Sequence, residues 1–439
     1  MSLLVSELYN MVDTIFVGRV VGGNGIGALV VIFPIQRIIV ALSLMIAIGS
    51  STALARSNGE KDYEMSGKII KNGFTLSFLI MIPMTLLTYI FRDQILLMLG
   101  TSKNILPYAH DYLSLVIFGS TFLCLTIFIS NIMIALGNRK VSLISTSIGA
   151  VLNIIIDYIL VVKMSMGVKG AAIATSVSQI AGFIYAYYHF RKIKKNFNLS
   201  SGFQLDKVIW SSIILVGFSA FIVEAEDGIL MAVLNNLLLN HVGDTGIIVL
   251  GVISKVYMFM FITILGISSA MQPIAAYNLG AGNYKRLRNI VRKTAIYSFI
   301  TSTILWAGGL VFTEQLISVF VKEKDIILES VKAFRIMIAA FPLISIYYMS
   351  IYYFQALGKA RKSFLVAIFR QLIIMLPLAI IMVKVLNLGA MGVWISYPIS
   401  DVIASVTSYI MIKDEGYKLD DKVKKQKEEE KINKSYVLD

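Results

Sequence analysis

Seven carboxylates interrupt apolar stretches of this chain: Glu7, Asp13, Asp157, Glu224, Glu226, Asp227 and Asp401. A carboxylate at mid-bilayer costs roughly 2.5–3.5 kcal/mol on insertion scales. Seven facing lipid at mid-depth would cost on the order of 20 kcal/mol, so they must face a wet interior, one another or a span end. Their neighbours are polar. Asp13 precedes Thr14 and comes one turn after Tyr9 and Asn10. Asn153 and Asp157 are four residues apart and share a helix face, as do Thr175 and Gln179. A carboxylate among amides and hydroxyls can trade a proton for a cation as its solvation changes; the plainer reading of Asp13 is a helix-packing hydrogen bond. Further along, Glu224 heads a polar stripe with Asp227 and Asn235, because eleven residues at ~100° each return Asn235 to within ~20° of Glu224. Glu226 and Asp227 also read as acids that wet a helix mouth. Four bases, Arg37, Lys255, Arg335 and Arg370, lie within apolar stretches and either pair with these acids or snorkel to the interface.

The elements that hold these groups can be read from composition. The 439 residues are 57% hydrophobic and 15% charged, with a mean hydropathy of +0.77. Soluble proteins are roughly 45–50% apolar and about 25% charged. A soluble fold, a disordered chain and a coiled coil are thereby excluded, and an all-α membrane protein is expected. Twelve spans are predicted, over 3–20, 28–54, 73–91, 111–136, 141–163, 168–190, 208–238, 245–276, 291–313, 333–357, 363–386 and 389–412. The runs are too long and too little alternating for barrel strands. Of 40 Lys and Arg, 27 fall in one set of loops and the tail, and 9 in the other set. That bias places the first set in the cytoplasm, and an even span count puts both termini there, as in a multi-pass protein of the cell (inner) membrane. The expected organisation is an N-terminal six-helix lobe (1–190), a basic cytoplasmic linker (191–207), a C-terminal six-helix lobe (208–412) and a charged cytoplasmic tail (413–439). The tail balances eight bases with eight acids and reads as a solvated helix or as disordered.

The halves repeat. Leu136-Gly137-Asn138-Arg139-Lys140 recurs as Leu357-Gly358-Lys359-Ala360-Arg361-Lys362, and Gly167–Gln179 recurs as Gly389–Asp401. Ser57-Asn58-Gly59 matches Asn278-Leu279-Gly280, and every match lies 221 or 222 residues apart. An even number of spans per half gives repeats in parallel orientation about an axis along the membrane normal, an arrangement that encloses a central cavity. On this offset Asn235 is the counterpart of Asp13.

With those residues in view the chain resembles the multidrug and toxin extrusion (MATE) family, in its bacterial branch, over nearly its whole length. The resemblance is carried by Tyr9–Arg19 in span 1, Asn153-Ile154-Ile155-Ile156-Asp157 in span 5, Gln272–Asn283 after span 8, and Pro398-Ile399-Ser400-Asp401 in span 12. It implies a twelve-helix antiporter that exports organic, often cationic, compounds in exchange for H⁺ or Na⁺. It carries ion coupling onto Asp13, Asn153, Asp157 and Thr175, and substrate or cation binding onto Glu224, joined by Gln179 and Asn235. Two departures stand out. The family usually has more residues before the first motif, so a longer encoded start, or a less stable form, is expected. Ser219 stands where the family often has a proline early in span 7.

Other classes are poorly served. Cys124 is the one cysteine, which excludes a disulfide framework and a Cys-based metal site. His110, His189 and His241 all fall at span ends, away from where a membrane-embedded acyltransferase would need one. There is no phosphate-binding Gly-x-x-x-x-Gly-Lys-Ser/Thr run, and Gly23–Gly27 comes after no strand. The net charge of +14 has no basic domain behind it, so topology explains it better than nucleic acid does. The chain is therefore not expected to be an enzyme or to hold a cofactor other than its coupling ion. Its expected partners are the bilayer and small organic cations or drugs, and it is expected to act as a monomer. The competing function is a lipid-linked oligosaccharide flippase of the same two-lobed plan. That would favour a basic cavity for a pyrophosphate, whereas acids outnumber bases in the spans seven to four.

Overall fold

The structure is a computed structural model that describes residues 2–59, 62–196 and 203–435. Helices α1 (Ser2–Val20), α2 (Gly23–Gly59), α3 (Tyr63–Ile90), α4 (Arg92–Met98), α5 (Leu106–Ala135), α6 (Arg139–Asp157), α7 (Gly167–Asn196) and α8 (Lys207–Val242) come first. Next in the chain are α9 (Asp244–Gly280), α10 (Tyr284–Val311), α11 (Thr313–Ser318), α12 (Lys324–Met337), α13 (Ile344–Ala356), α14 (Ala360–Ile368), α15 (Leu376–Ile380) and α16 (Ala390–Ser435). Wider π-helical turns extend α6 over Tyr158–Lys163, join α14 to α15 over Phe369–Met375 and continue α15 over Ile381–Val385. There is no strand among the described residues.

Among the described residues, eight helices are long and apolar enough to cross a membrane, and ten if two bent pairs each count as one span. The other two predicted spans, 3–20 and 168–190, are the helices α1 and α7, whose sequences carry more polar residues. Outward faces are apolar, with Ile304 66% and Val311 68% exposed on α10, as suits contact with lipid and not water. Polar side chains within the spans bond back to their own helix. On α3, Asn72, Thr75 and Ser77 donate to the carbonyls of Lys68, Lys71 and Gly73, which satisfies donors that lipid cannot.

Two predicted spans differ in shape from expectation. Span 10 is not one helix over 333–357. α12 begins at Lys324, and a 49° bend separates it from α13. Pro342 lies in the 3₁₀ turn at the bend, where its missing N–H breaks the helical ladder. Span 7 bends by 54° between Phe218 and Ala220, although no proline is present. Gly217, next to the bend, supplies a weak point because glycine is the poorest helix former after proline.

The backbone repeats at the same offset as the sequence. Left-handed residues recur as Gly22 and Gly243, Gly137 and Gly358, Ser165 and Asn387, and Gly167 and Gly389. The side chains of Asp62 and Asn283 each cap the next helix by accepting from the N–H three residues on. The π-helical turns Tyr158–Lys163 and Ile381–Val385 also correspond.

By compactness the chain forms two units, one of residues 1–255 with 317–330 and one of residues 256–316 with 331–439. In the first, α2 packs against α8 and α5, α5 against α7, and α6 against α7 and α1. In the second, α13 packs against α16, α14 and α10. The charged tail is helical through Ser435 as a continuation of α16. Glu415, where the tail leaves the last span, pairs with Lys359 and Lys362.

Candidate functional site

The first unit buries a polar cluster. Asp13 on α1, Asp157 at the end of α6, Asn153 one turn before it and Thr175 on α7 are all buried. Asn153 Nδ2 donates to Thr175 Oγ1 at 3.4 Å. Asp13 and Asp157 are close enough for their charges to interact, and Lys255 on α9 lies within electrostatic range of Asp13. The expected grouping of Asp13, Asn153, Asp157 and Thr175 is therefore present in space. The side chains of Glu7, Tyr9 and Asn10 lie outside the described residues.

Local structure explains the placement. Asp157 is the last residue of regular helix before the π-helical turn, and both of its carboxylate oxygens are buried without a hydrogen bond from the described residues. Asp13 Oδ1 and Asn153 Oδ1 are buried without one as well. Buried oxygens in this state are costly unless something fills the site. Sequence reasoning missed Tyr112 on α5, which is buried and lies within electrostatic range of Asp13 and Asp157. With 21 tyrosines in the chain, no spacing singles it out.

Gln179 sits one turn beyond Thr175 with a buried Oε1 against Gly119 of α5, where a Cβ would come within 2.4 Å. Glu224 and Asn235 lie apart from each other's partners, along α8. Glu224 Oε1 meets Arg37 Nη1 of α2 at 2.5 Å. Asn235 is fully buried and donates to the Val30 carbonyl of α2 at 3.4 Å, with its own oxygen unpaired. Its neighbour Asn236 donates to the Met98 carbonyl at 2.8 Å.

The second unit has a cluster of different character. Arg370, in a π-helical turn, donates through Nε to Asp401 Oδ1 at 2.7 Å and through Nη2 to the Tyr257 hydroxyl at 3.0 Å. Asp401 stands at the repeat counterpart of Gln179. One acid faces one base here, so the expected pairing of membrane bases with membrane acids holds for Arg370 as it does for Arg37.

No group of three or more His, Cys, Asp or Glu side chains among the described residues could hold a metal ion. The Asp13–Asp157 cluster brings together two carboxylates with amide and hydroxyl groups, and Lys255 lies within electrostatic range of Asp13.

Comparisons with known proteins agree with this architecture. The chain is 25% identical over 417 residues to the multidrug export protein MepA of Staphylococcus aureus strain MSSA476, covering 93% of this chain and 90% of that one. It is 22% identical over 421 residues to a Bacillus subtilis strain 168 protein described as "Probable multidrug resistance protein YoeA", with the same coverage. Among solved structures, one described as an inward-facing multidrug resistance MATE family transporter of the MOP superfamily superposes with a TM-score of 0.86. It is 23% identical, over 95% of this chain and 96% of that chain. One described as the outward-facing conformation of such a transporter gives 0.73 at 23% identity, over 96% and 94%. These likenesses establish the fold. The family model MatE matches residues 1–159 and 229–381. These stretches make up most of the chain, one falling mainly in each half, and the chain belongs to this family of multidrug efflux transporters, which move small molecules across a membrane without acting as enzymes.

Proposed function

We propose that this transporter is a secondary antiporter that exports organic, often cationic, compounds by alternating access in exchange for H⁺ or Na⁺. The observation that carries the proposal is the charge of the buried cluster: Asp13 and Asp157 lie close enough for their charges to interact, and Lys255 is the ammonium within electrostatic range of Asp13. Two nearby carboxylates in a low-dielectric site resist double ionisation, so a single ammonium leaves room for one more positive charge. A proton or a Na⁺ can supply it. Asn153, Thr175 and Tyr112 would orient the carboxylates and accept or donate as the ion enters or leaves. The filled, neutral cluster favours close packing of α1 on α6, and the emptied one favours water entry. An ion can thereby bias one conformation over the other.

Glu224, Gln179 and Asn235 serve substrate or cation binding in this reading, with Glu224 supplying the negative charge. The protein works as a monomer in the cell (inner) membrane with both termini in the cytoplasm, in line with the distribution of Lys and Arg over its loops. The test is efflux from proteoliposomes under separately imposed H⁺ and Na⁺ gradients. Accumulation or efflux of an organic cation under at least one gradient is expected. Transport indifferent to both would end the antiport reading.

A further inference from the structure

The Arg37 guanidinium is held as an organic cation would be held. Its Nη1 meets Glu224 Oε1 at 2.5 Å, and its Cζ lies 4.7 Å from the centre of the Phe33 ring. A carboxylate on one side and an aromatic face on the other are the two features that recognise a desolvated organic cation. The close approach that permits this is built into the backbone. Gly228 of α8 lies over Pro34 and Arg37, where a Cβ would sit 3.1 Å from both the Pro34 carbonyl and Arg37 Cβ. The pair is not sealed, because the Arg37 and Glu224 side chains stay 16% and 22% exposed. The pair is open enough for a competing cation to approach it.

We propose that Arg37 is a built-in occupant of the cation site and a specificity-determining residue: an organic monocation binds by displacing the guanidinium from Glu224. This rests on the reading of Glu224 as the cation-binding acid. Arg37 keeps the site from holding a bare carboxylate when empty, and sets a threshold that only cations with enough apolar and aromatic surface overcome. Small hydrated ions such as Na⁺ gain too little from Phe33 to compete there. The site favours delocalised or arylated cations over compact ammonium ions.

The test is equilibrium binding of tetraphenylphosphonium to the purified full-length protein in detergent, for wild type, Arg37→Gln, Glu224→Gln and the double variant. Removing the internal competitor should tighten binding in Arg37→Gln by about tenfold, the equivalent of ~1.4 kcal/mol. Glu224→Gln should weaken it, and the double variant should match Glu224→Gln. Methylguanidinium should compete better against the probe in Arg37→Gln than in wild type, since it refills the vacated place. Arg37→Lys, which keeps the charge but not the flat face over Phe33, gives a second reading if Arg37→Gln does not fold, with a smaller tightening expected. Unchanged or weaker binding in both Arg37 variants, with Glu224→Gln still weakened, overturns the competitor role and leaves Glu224 as the acid. Unchanged binding in Glu224→Gln overturns the cation-site reading itself, and the competitor role with it.

Discussion

Asp13 and Asp157 sit on different helices, α1 and α6, so in the proposed reading an ion bound between them would act on both helices. Replacing either with Asn keeps the shape and most hydrogen bonds but removes the charge that an ion would balance. Asp13→Asn and Asp157→Asn should each abolish gradient-driven efflux while leaving the melting temperature in detergent within a few degrees of wild type. Full ion-driven efflux by the double variant would sink the coupling role. The buried Tyr112 hydroxyl lies within electrostatic range of Asp13 and Asp157, where it can donate to a carboxylate as that carboxylate charges. A hydrogen bond to a charged group contributes about 1.5–3 kcal/mol, so Tyr112→Phe should slow efflux tenfold or more without loss of folded protein. Glu224→Gln should reduce transport of cationic substrates more than of neutral ones, measured as the ratio of their efflux rates. An equal effect on both would make Glu224 structural.

At the scale of helices, α2 and α8 cross closely enough to exclude a side chain. A Cβ on Gly49 would meet the Ile213 carbonyl at 2.0 Å, and one on Gly217 the Met45 carbonyl at 1.9 Å. The contacts Pro34–Gly228, Met45–Gly217 and Gly49–Ile213 run antiparallel in one register along both helices. Even Gly217→Ala must push the backbones apart. It should lower stability by roughly 1–3 kcal/mol, read as a fall in melting temperature in detergent; an unchanged melting temperature would mean the crossing is loose. A second contact between the repeats recurs with their symmetry. Glu323 Oε1 accepts from the N–H of Gly23 at the start of α2, and Asn104 Nδ2 donates to Asp244 Oδ2 at the start of α9 at 2.8 Å. Gly23 and Asp244 correspond across the repeat, so the turn of each half meets a loop of the other. Gly22 has φ +88, and a Cβ there would lie 2.6 Å from Glu323 Oε1. Gly22→Ala therefore strains the backbone and pushes Glu323 off the helix N-terminus. By analogy with other strained positions this costs about 1–3 kcal/mol. If this clasp holds the predicted outer side shut, the variant should raise labelling of a cysteine introduced near it from outside. No change in labelling would remove the clasp from the transport cycle.

For the molecule as a whole, the repeat is visible in backbone geometry as well as in sequence, down to matched left-handed residues and matched π-helical turns. The two halves have nonetheless diverged in charge. The first keeps Asp13 and Asp157 within reach of each other's charge, and the second pairs Asp401 with Arg370. A charge-matched buried pair has little use for an added ion, so Asp401→Asn should harm stability more than ion coupling, because it strands a buried guanidinium. Loss of coupling with unchanged stability would give the second cluster an ion-handling role. Topology belongs to this scale too. In a Cys124→Ala background, a cysteine at Arg288 should resist labelling from outside, while one in the loop 239–244 should label. Strong outside labelling at Arg288 would invert the orientation.

The class of the protein, the position of its helices and the repeat were legible in the residues themselves, because a bilayer demands long apolar helices and a duplicated chain keeps its offset. Most of the candidate acids were legible too, since a carboxylate within an apolar run is too costly to be filler. Tertiary structure alone decided which of them meet. Asp13 and Asp157 are 144 positions apart in sequence, and the helix crossings that bring Tyr112 and Lys255 to them depend on packing, not on any local pattern. The pairing of Arg37 with Glu224 likewise rests on glycines that let α2 and α8 approach, and a glycine in a sequence does not say which backbone will come near it. The bends in spans 7 and 10 show the same division. Pro342 announces a weak helix and Gly217 permits one, but the angle is set by what the two segments pack against.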